Sequence, residues 1–160
     1  MIPNVPCVVL TGGIASGKTT VSEILSARGI PIIDTDVIAH QLTQKGEPGY
    51  EAVVKQWGNS ILKEVEDGSE PVIDRKRLRQ LVFSNAEERE KLEAILHPMI
   101  MLRVSQKLKA LENNAPPPYA VVVIPLYAEK PLAIEPDAVV VVDVSRQQQV
   151  ERLLRRDNID

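Results

Sequence analysis

The stretch LTGGIASGKTT, residues 10–20, constrains the fold more than any other part of the chain. Gly12, Gly17, Lys18 and Thr19 match the pattern G-x-x-x-x-G-K-[S/T]. In this pattern glycines let backbone N–H groups wrap around a phosphate at the positive end of a helix. The lysine bridges the β- and γ-phosphates, and the hydroxyl that follows it ligates Mg²⁺. We therefore predict a phosphate-binding loop, or P-loop, that holds ATP or GTP together with Mg²⁺.

Short apolar runs around this loop predict a parallel sheet. Residues 5–10 indicate a strand before the loop, residues 19–28 have helical spacing, and residues 30–33 indicate a second strand. A strand, a helix and a strand within so short a segment form a βαβ unit. Residues 119–125 and 138–144 are near-continuously apolar, which predicts strands covered on both faces. The predicted fold class is α/β, a P-loop NTPase with three α/β/α layers.

The middle of the chain predicts a helical lobe inserted between core strands. Residues 74–83 indicate a short capped helix, and residues 87–112 indicate one or two helices interrupted at Pro98. The predicted boundaries are 1–36 and 115–151 for the P-loop core and 37–114 for the lobe.

Composition excludes several classes of partner. The chain has 160 residues, of which 44% are hydrophobic and 26% charged, as in ordinary globular domains. Aromatic residues make up only 3%, too few for stacking on single-stranded nucleic acid, and the net charge of −3 provides no general basic surface. The single cysteine, Cys7, is expected to be a buried small hydrophobic residue. We expect a cytosolic protein with no nucleic-acid, membrane or protein partner.

The sequence favours a kinase over the other classes of P-loop protein. A GTPase would carry D-x-x-G and N-K-x-D, and neither string occurs. Asp143 closes an apolar run, as the Mg²⁺-binding acid of a motor ATPase does, but it ends the last predicted strand and we interpret it as structural.

Two carboxylates follow the second predicted strand. Asp34 and Asp36 are expected at the carboxyl edge of the sheet, where ligands bind in open α/β folds. A carboxylate there can accept the proton of a substrate hydroxyl. The alternative is that Asp36 only caps a helix beginning at Val37. We favour the catalytic role for Asp36.

With these elements the chain resembles the dephospho-CoA kinase family. The resemblance covers the whole chain and rests on pieces that occur in a fixed order: LTGGIASGKTT, IPIIDTDVIAHQL, IDRKRLRQLVFSN, LEAILHPMI, VVVIPLYAE and VVVVDVSRQQQVERLLRRD. It implies transfer of the ATP γ-phosphate to the ribose 3′-hydroxyl of dephospho-CoA, the last step of coenzyme A synthesis. It also implies a helical CoA-binding lobe and a mobile lid, of which residues 152–160 are the beginning.

The resemblance and the P-loop pattern together give a set of expected site residues. The expected catalytic residues are Asp36, Lys18 and Arg156, and the expected Mg²⁺ ligand is Thr19. The expected ATP-binding residues are Gly13, Ala15, Ser16, Gly17, Lys18, Thr19, Thr20 and Arg152. The residues expected to bind dephospho-CoA are Thr11, Asp36, His40, Arg75, His97, Pro125 and Leu126.

Several of these residues also have a purely structural interpretation. His97 before Pro98 could be a helix-end histidine, and Arg75 and Arg79 could form a solvated helix face. The acceptor carries a pyrophosphate, however, which a pair of guanidinium groups would hold. The sequence departs from the family pattern where Ala15 replaces a glycine that many members carry and His40 replaces a frequent arginine. The alternative functions are another small-molecule or nucleoside-monophosphate kinase and a non-catalytic nucleotide-binding protein.

Overall fold

The computed structural model describes residues 5–113, 115–125 and 135–157. It divides into two compact units, Met1–Thr35 with Val104–Asp160 and Asp36–Arg103. The strands are β1 (Cys7–Gly12), β2 (Ile32–Asp34), β3 (Leu62–Lys63), β4 (Val72–Ile73), β5 (Ala120–Val123) and β6 (Ala138–Val142). The α-helices are α1 (Lys18–Ala27), α2 (Thr35–Leu42), α3 (Pro48–Trp57), α4 (Arg75–Ser84), α5 (Ala86–Ala110) and α6 (Arg146–Asp157).

The first unit is built on a parallel sheet with strand order β2-β5-β1-β6. β1 pairs with β5, with Leu10 opposite Val123, and with β6, with Gly12 opposite Val142. All the carboxyl ends therefore meet at one edge of the sheet, since the strands are parallel. The predicted α/β fold with a parallel sheet is confirmed.

The interior of this sheet is apolar on both faces. Leu10 and Val121 are each 1% exposed, and Val21 and Leu25 of α1 pack against them. Complete burial of such a side chain contributes about 1.5–3 kcal/mol to folding. Cys7, at the start of β1, is buried as expected, and this burial together with the nearby Asp137 carboxylate raises the pKa of its thiol.

The edge strand β6 differs from the prediction. Its residues Val139, Val140 and Val141 are 45%, 46% and 62% exposed, so the expectation of a strand covered on both faces is wrong for β6. β6 pairs with β1 on one side and is the last strand in the described order. Successive side chains point to opposite faces of the sheet, so neither face of β6 is fully covered at these positions. Valine has a high β-propensity, so a run of valines can indicate a strand without indicating that the strand is buried.

The second unit combines helices with a small antiparallel hairpin. β3 and β4 pair through Leu62 and Ile73, and Val53 and Ile61 form the buried cluster with Ile73. The prediction of a mostly helical segment missed this hairpin, because two-residue strands are too short to show a period. Asp74 caps α4 as predicted, since its Oδ1 accepts hydrogen bonds from the backbone N–H groups of Lys76 and Arg77 at 3.0 and 3.2 Å.

Helix α5 runs unbroken through Pro98, so the predicted interruption is wrong. Proline lacks the N–H that would bond the carbonyl four residues earlier. The helix compensates with buried apolar side chains spaced by four residues: Leu96, Ile100, Val104 and Leu108. None of the described helices has both the length and the apolar character needed to cross a bilayer.

The P-loop between β1 and α1 contains a non-glycine residue in the left-handed region. Ala15 has a φ of 54°, next to Ser16 and Gly17. The left-handed conformation costs an L-residue roughly 1–2 kcal/mol, because its Cβ approaches the following carbonyl oxygen. The alanine that departs from the family pattern therefore stands where glycine would be free of this strain.

Replacing Ala15 with glycine is expected to leave the free energy of unfolding unchanged or raise it by up to about 1 kcal/mol. Relief of left-handed strain offsets the extra freedom that glycine gives to the unfolded chain, about 0.4–1 kcal/mol. Urea unfolding of Ala15→Gly provides the measurement. The matched control is Ala94→Gly on the exposed face of α5, which should lose about 1 kcal/mol. Equal losses in both variants would contradict the strain at Ala15.

Candidate active site

The P-loop begins where β1 ends, and its first glycine is required by close packing. A Cβ atom at Gly12 would lie 2.5 Å from the Val142 carbonyl oxygen and 2.7 Å from Ser16 Oγ. The Val142 carbonyl is backbone and cannot rotate away, so any side chain at this position would displace β6 or the loop. The pairing of β1 with β6 thus fixes the loop at the carboxyl edge of the sheet.

Ser16 presents a buried hydroxyl that nothing in the described residues satisfies. Its side chain is 2% exposed, and its Oγ has no hydrogen-bond partner there. Its backbone N–H donates to the Gly13 carbonyl at 3.2 Å, which closes the loop. A buried polar atom without a partner costs about 1–3 kcal/mol. A ligand oxygen inside the loop would remove this cost, so the residues present fit a phosphate.

Lys18 and Thr19 open helix α1 directly after the loop. The Lys18 ammonium donates to the carbonyl oxygens of Gly12 and Gly13 at 2.8 and 2.9 Å, which holds the cation across the loop. Thr19 and Thr20 are exposed in the first turn of α1. Their position at a helix N-terminus suits the phosphates and a hydrated cation, since Mg²⁺ commonly takes few protein ligands and completes its shell with phosphate oxygens and water.

Helix α6 supplies a second contact with the loop. Arg152 donates from its guanidinium to the Ser16 carbonyl at 3.1 Å, so this predicted ATP-binding residue lies against the P-loop. Arg156 lies one turn further along α6 and is exposed. Gln149, which was not among the predicted residues, also reaches the loop at Gly13. Its signal was the spacing of three from Arg152, which puts both side chains on one helix face.

The end of β2 is anchored to the sheet by a threonine. Thr35 is 5% exposed, and its hydroxyl donates to the Val123 carbonyl, at the end of β5, over 2.8 Å. Because α2 begins at Thr35, Asp36 lies within its first turn and does not cap a helix that starts at Val37. The capping alternative in that form is wrong. Thr11, expected to line the acceptor, is 3% exposed within β1.

The second unit contains a cavity that joins two of the predicted substrate residues. It has a volume of about 380 Å³ and includes both His40 and Arg75 in its wall. The other residues that line it are Thr43, Gln44, Lys45, Val72 and Ile73. Thr43 holds the arginine in place, because its Oγ1 accepts a hydrogen bond from the Arg75 guanidinium at 3.3 Å. The wall of the cavity is thus rich in groups that can carry positive charge.

The electrostatics of this cavity favour an anion. Partial burial and the positive charge of Arg79 both lower the pKa of Arg75 from its ordinary value. Both arginines are exposed residues of α4, and their two positive charges repel each other. Within the described ranges, neither arginine forms an ion pair with a carboxylate. A bound phosphate or pyrophosphate would relieve this repulsion.

Three other residues were expected to bind dephospho-CoA: His97, Pro125 and Leu126. His97 is half-buried on α5, and Pro125 is half-buried just after β5. Leu126 lies outside the described residues. Thr43 and Lys45 were not predicted, because a threonine and a lysine in a helix-end segment carry no signal of their own.

Comparison with known proteins agrees with this geometry. A family model described as dephospho-CoA kinase matches residues 6–160. The dephospho-CoA kinase of Pseudoalteromonas translucida is 42% identical over 150 residues, which are 94% of this chain and 67% of that protein. The dephospho-CoA kinase of Vibrio vulnificus strain YJ016 is 41% identical over 152 residues, which are 94% of this chain and 71% of that protein.

Solved structures give the same result. The crystal structure of TT1252 from Thermus thermophilus has a TM-score of 0.78 and 28% identity, covering 98% of this chain and 74% of that one. The dephospho-CoA kinase from Campylobacter jejuni has a TM-score of 0.59 and 27% identity, covering 96% of this chain and 74% of that one. With a P-loop at the carboxyl edge of a parallel sheet and a family match that extends over nearly all its residues, the chain belongs to the dephospho-CoA kinase family.

Proposed function

We propose a mechanism in which the P-loop holds ATP and Asp36 prepares the ribose 3′-hydroxyl of dephospho-CoA for attack on the γ-phosphate. As a member of its family the chain phosphorylates dephospho-CoA in coenzyme A biosynthesis, with ATP as the donor. The observation that carries the mechanism is the loop itself, in which a glycine without room for a side chain, a buried unsatisfied Ser16 hydroxyl and the Lys18 ammonium converge.

The loop acts on the donor by position and charge. Transfer of a phosphoryl group needs little covalent help from the protein, so placement and electrostatic stabilisation supply most of the rate. Loop N–H groups and the Ser16 hydroxyl hold the phosphate oxygens, and Lys18 moves its hydrogen bonds from the Gly12 and Gly13 carbonyls to the β- and γ-phosphates. Bound Mg²⁺, ligated by Thr19, would neutralise part of the phosphate charge.

Asp36 is the proposed base. It follows Thr35, whose bond to the Val123 carbonyl fixes the start of α2 at the end of β5. A carboxylate accepts the proton of the 3′-hydroxyl as the oxygen attacks, and the first-turn position on α2 keeps its backbone rigid. Rigid elements hold catalytic groups more accurately than loops do.

The arginines of α6 are proposed to stabilise the charge of the transition state. Arg152 already donates to the loop at the Ser16 carbonyl, and Arg156 follows one turn later. In enzymes that depend on it, an arginine that contacts the transferring phosphoryl group raises kcat by ~10³–10⁵-fold. In this proposal Arg156 is catalytic and Arg152 binds ATP.

The cavity of the second unit is proposed to bind the pyrophosphate of dephospho-CoA. Its support is the pair of mutually repelling guanidinium groups, Arg75 and Arg79, with His40 and Lys45 in the same wall as Arg75. A planar guanidinium group can donate two parallel hydrogen bonds to the oxygens of one phosphate. This arrangement orients the phosphate and also strengthens its binding.

The function is tested by ADP release from Mg-ATP, measured without acceptor and then with dephospho-CoA, AMP, CMP or shikimate. We expect stimulation by dephospho-CoA alone. Stimulation by one of the other acceptors, or binding of ATP without turnover on any of them, would contradict the assignment for this chain.

Asp36→Asn is expected to reduce turnover by ~10²–10⁴ while leaving the Kd for ATP within about twofold, because the amide cannot accept the proton. Steady-state kinetics and nucleotide titration provide the two measurements. Asp67→Asn is the control, since Asp67 is an exposed carboxylate in the second unit. If Asp36→Asn retained nearly full turnover, Asp36 would have only a structural role.

Arg75→Ala is expected to raise the KM for dephospho-CoA by about 10–100-fold, since a hydrogen bond to a charged group contributes about 1.5–3 kcal/mol. The KM for ATP should change little, and Arg75→Lys should recover part of the loss. Lys76→Ala on the same helix removes an exposed positive charge and serves as the control. Equal KM values for Arg75→Ala and Lys76→Ala would contradict the proposed pyrophosphate site.

A further inference from the structure

The side chain of Gln149 lies next to Gly13 of the P-loop. A Cβ atom placed on Gly13 would be 2.6 Å from Gln149 Nε2 and 3.9 Å from its Cδ. Among the residues that the structure describes, no other atom lies within 4 Å apart from those of the chain neighbours. Gly13 does not adopt a left-handed conformation. The backbone conformation at position 13 is therefore one that residues other than glycine can adopt. Among the described residues, only the Gln149 amide stands in the way of a side chain there.

Arg152 makes a parallel contact one turn later on the same helix. Its guanidinium donates to the Ser16 carbonyl, and its nitrogen would lie 3.1 Å from a Cβ atom on Gly17. Residues three apart lie on one helix face. α6 thus contacts the P-loop at both ends, through Gln149 at Gly13 and through Arg152 at Ser16 and Gly17.

The Gln149 amide is not held by a neighbouring group of α6 in the described part of the chain. It is half-buried, and no side-chain hydrogen bond from it is formed with the residues that the structure describes. The neighbouring glutamines differ, since Gln148 Oε1 accepts from the Ser145 N–H at 3.1 Å and Gln147 Nε2 donates to Glu151 at 3.3 Å. The Gln149 amide is therefore available to pack against Gly13.

We infer that Gln149 is a positioning residue of the nucleotide site: its amide packs on Gly13 and sets the loop geometry that receives the phosphates. This inference rests on the proposed use of the P-loop for ATP. Gln149 acts through the loop, in contrast to the direct charge contacts proposed for Lys18 and Arg156. The loop is then supported on both sides, by the β6 carbonyl at Gly12 and by α6 at Gly13.

The test is a double-substitution cycle read by nucleotide affinity and by thermal unfolding without nucleotide. Gln149→Ala is expected to weaken binding of a fluorescent ATP analogue about 3–10-fold, because the packing contact with Gly13 is lost. Gly13→Ala should weaken it further, because the new methyl group meets the amide. The double variant should bind more tightly than Gly13→Ala alone, because removal of the amide makes room for the methyl group.

Two further variants separate positioning from general stability. Gln149→Glu keeps the size but places a negative charge beside the phosphates, so it should weaken binding more than Gln149→Met, and salt should reduce the difference. Gln147→Ala, on the exposed part of α6, is the control and should bind as the wild-type chain does.

Nucleotide binding by the wild-type chain distinguishes failure of the Gln149 inference from failure of the proposed function. A wild-type chain that binds no nucleotide would contradict the proposed function, and the inference with it. Wild-type binding with strictly additive effects of Gly13→Ala and Gln149→Ala, in affinity and in unfolding temperature alike, would overturn only the role of Gln149. Equal affinities for Gln149→Glu and Gln149→Met would also overturn it.

Discussion

The parallel pairing of β1 with β5 and β6 is the constraint on which the nucleotide site depends. Register places Gly12 opposite Val142 and Leu10 opposite Val123, so the P-loop, the end of β5 and the turn into α6 meet at one edge. The Val142 carbonyl then excludes any side chain at Gly12. The Val123 carbonyl accepts from Thr35 and fixes the residue before Asp36. Backbone groups of the sheet thereby set the geometry, and side chains add the chemistry.

Each unit contains polar groups that an anion would suit. In the first unit the Ser16 hydroxyl is buried without a partner in the described residues. In the second, partial burial and then the positive charge of Arg79 lower the pKa of Arg75. A buried polar atom without a partner and a cluster of like charges are both typical of binding sites. The two features occur in separate units and involve different chemistry, so they support a donor and an acceptor site independently.

The sequence predicted the parts of the fold that have a strong local pattern. The βαβ unit and the Asp74 cap follow from apolar runs and helix-capping signals, and both were found. A loop between β1 and α1 was also found, while the binding roles of its residues stay predictions. β6 was expected to be covered because valine runs do not distinguish a central strand from an edge strand. α5 was expected to break at Pro98 because local rules ignore the buried stripe from Leu96 to Leu108. The contact of Gln149 with Gly13 and that of Thr43 with Arg75 depend on tertiary placement. The spacing of Gln149 from Arg152 indicates a shared helix face but not what that face contacts.

The basic residues differ in the kind of oxygen that they contact. Lys91 pairs with Glu88 at 2.8 Å and Arg103 with Glu47 at 3.1 Å, so these charges are already compensated. By contrast, Arg75 and Arg152 donate to neutral oxygens, the Thr43 hydroxyl and the Ser16 carbonyl. A neutral acceptor orients a guanidinium without cancelling its charge, which leaves the full attraction for a phosphate. A chain with a net charge of −3 can therefore bind polyanionic substrates, because the local surroundings of a few oriented cations, and not the total charge, determine where an anion is stable.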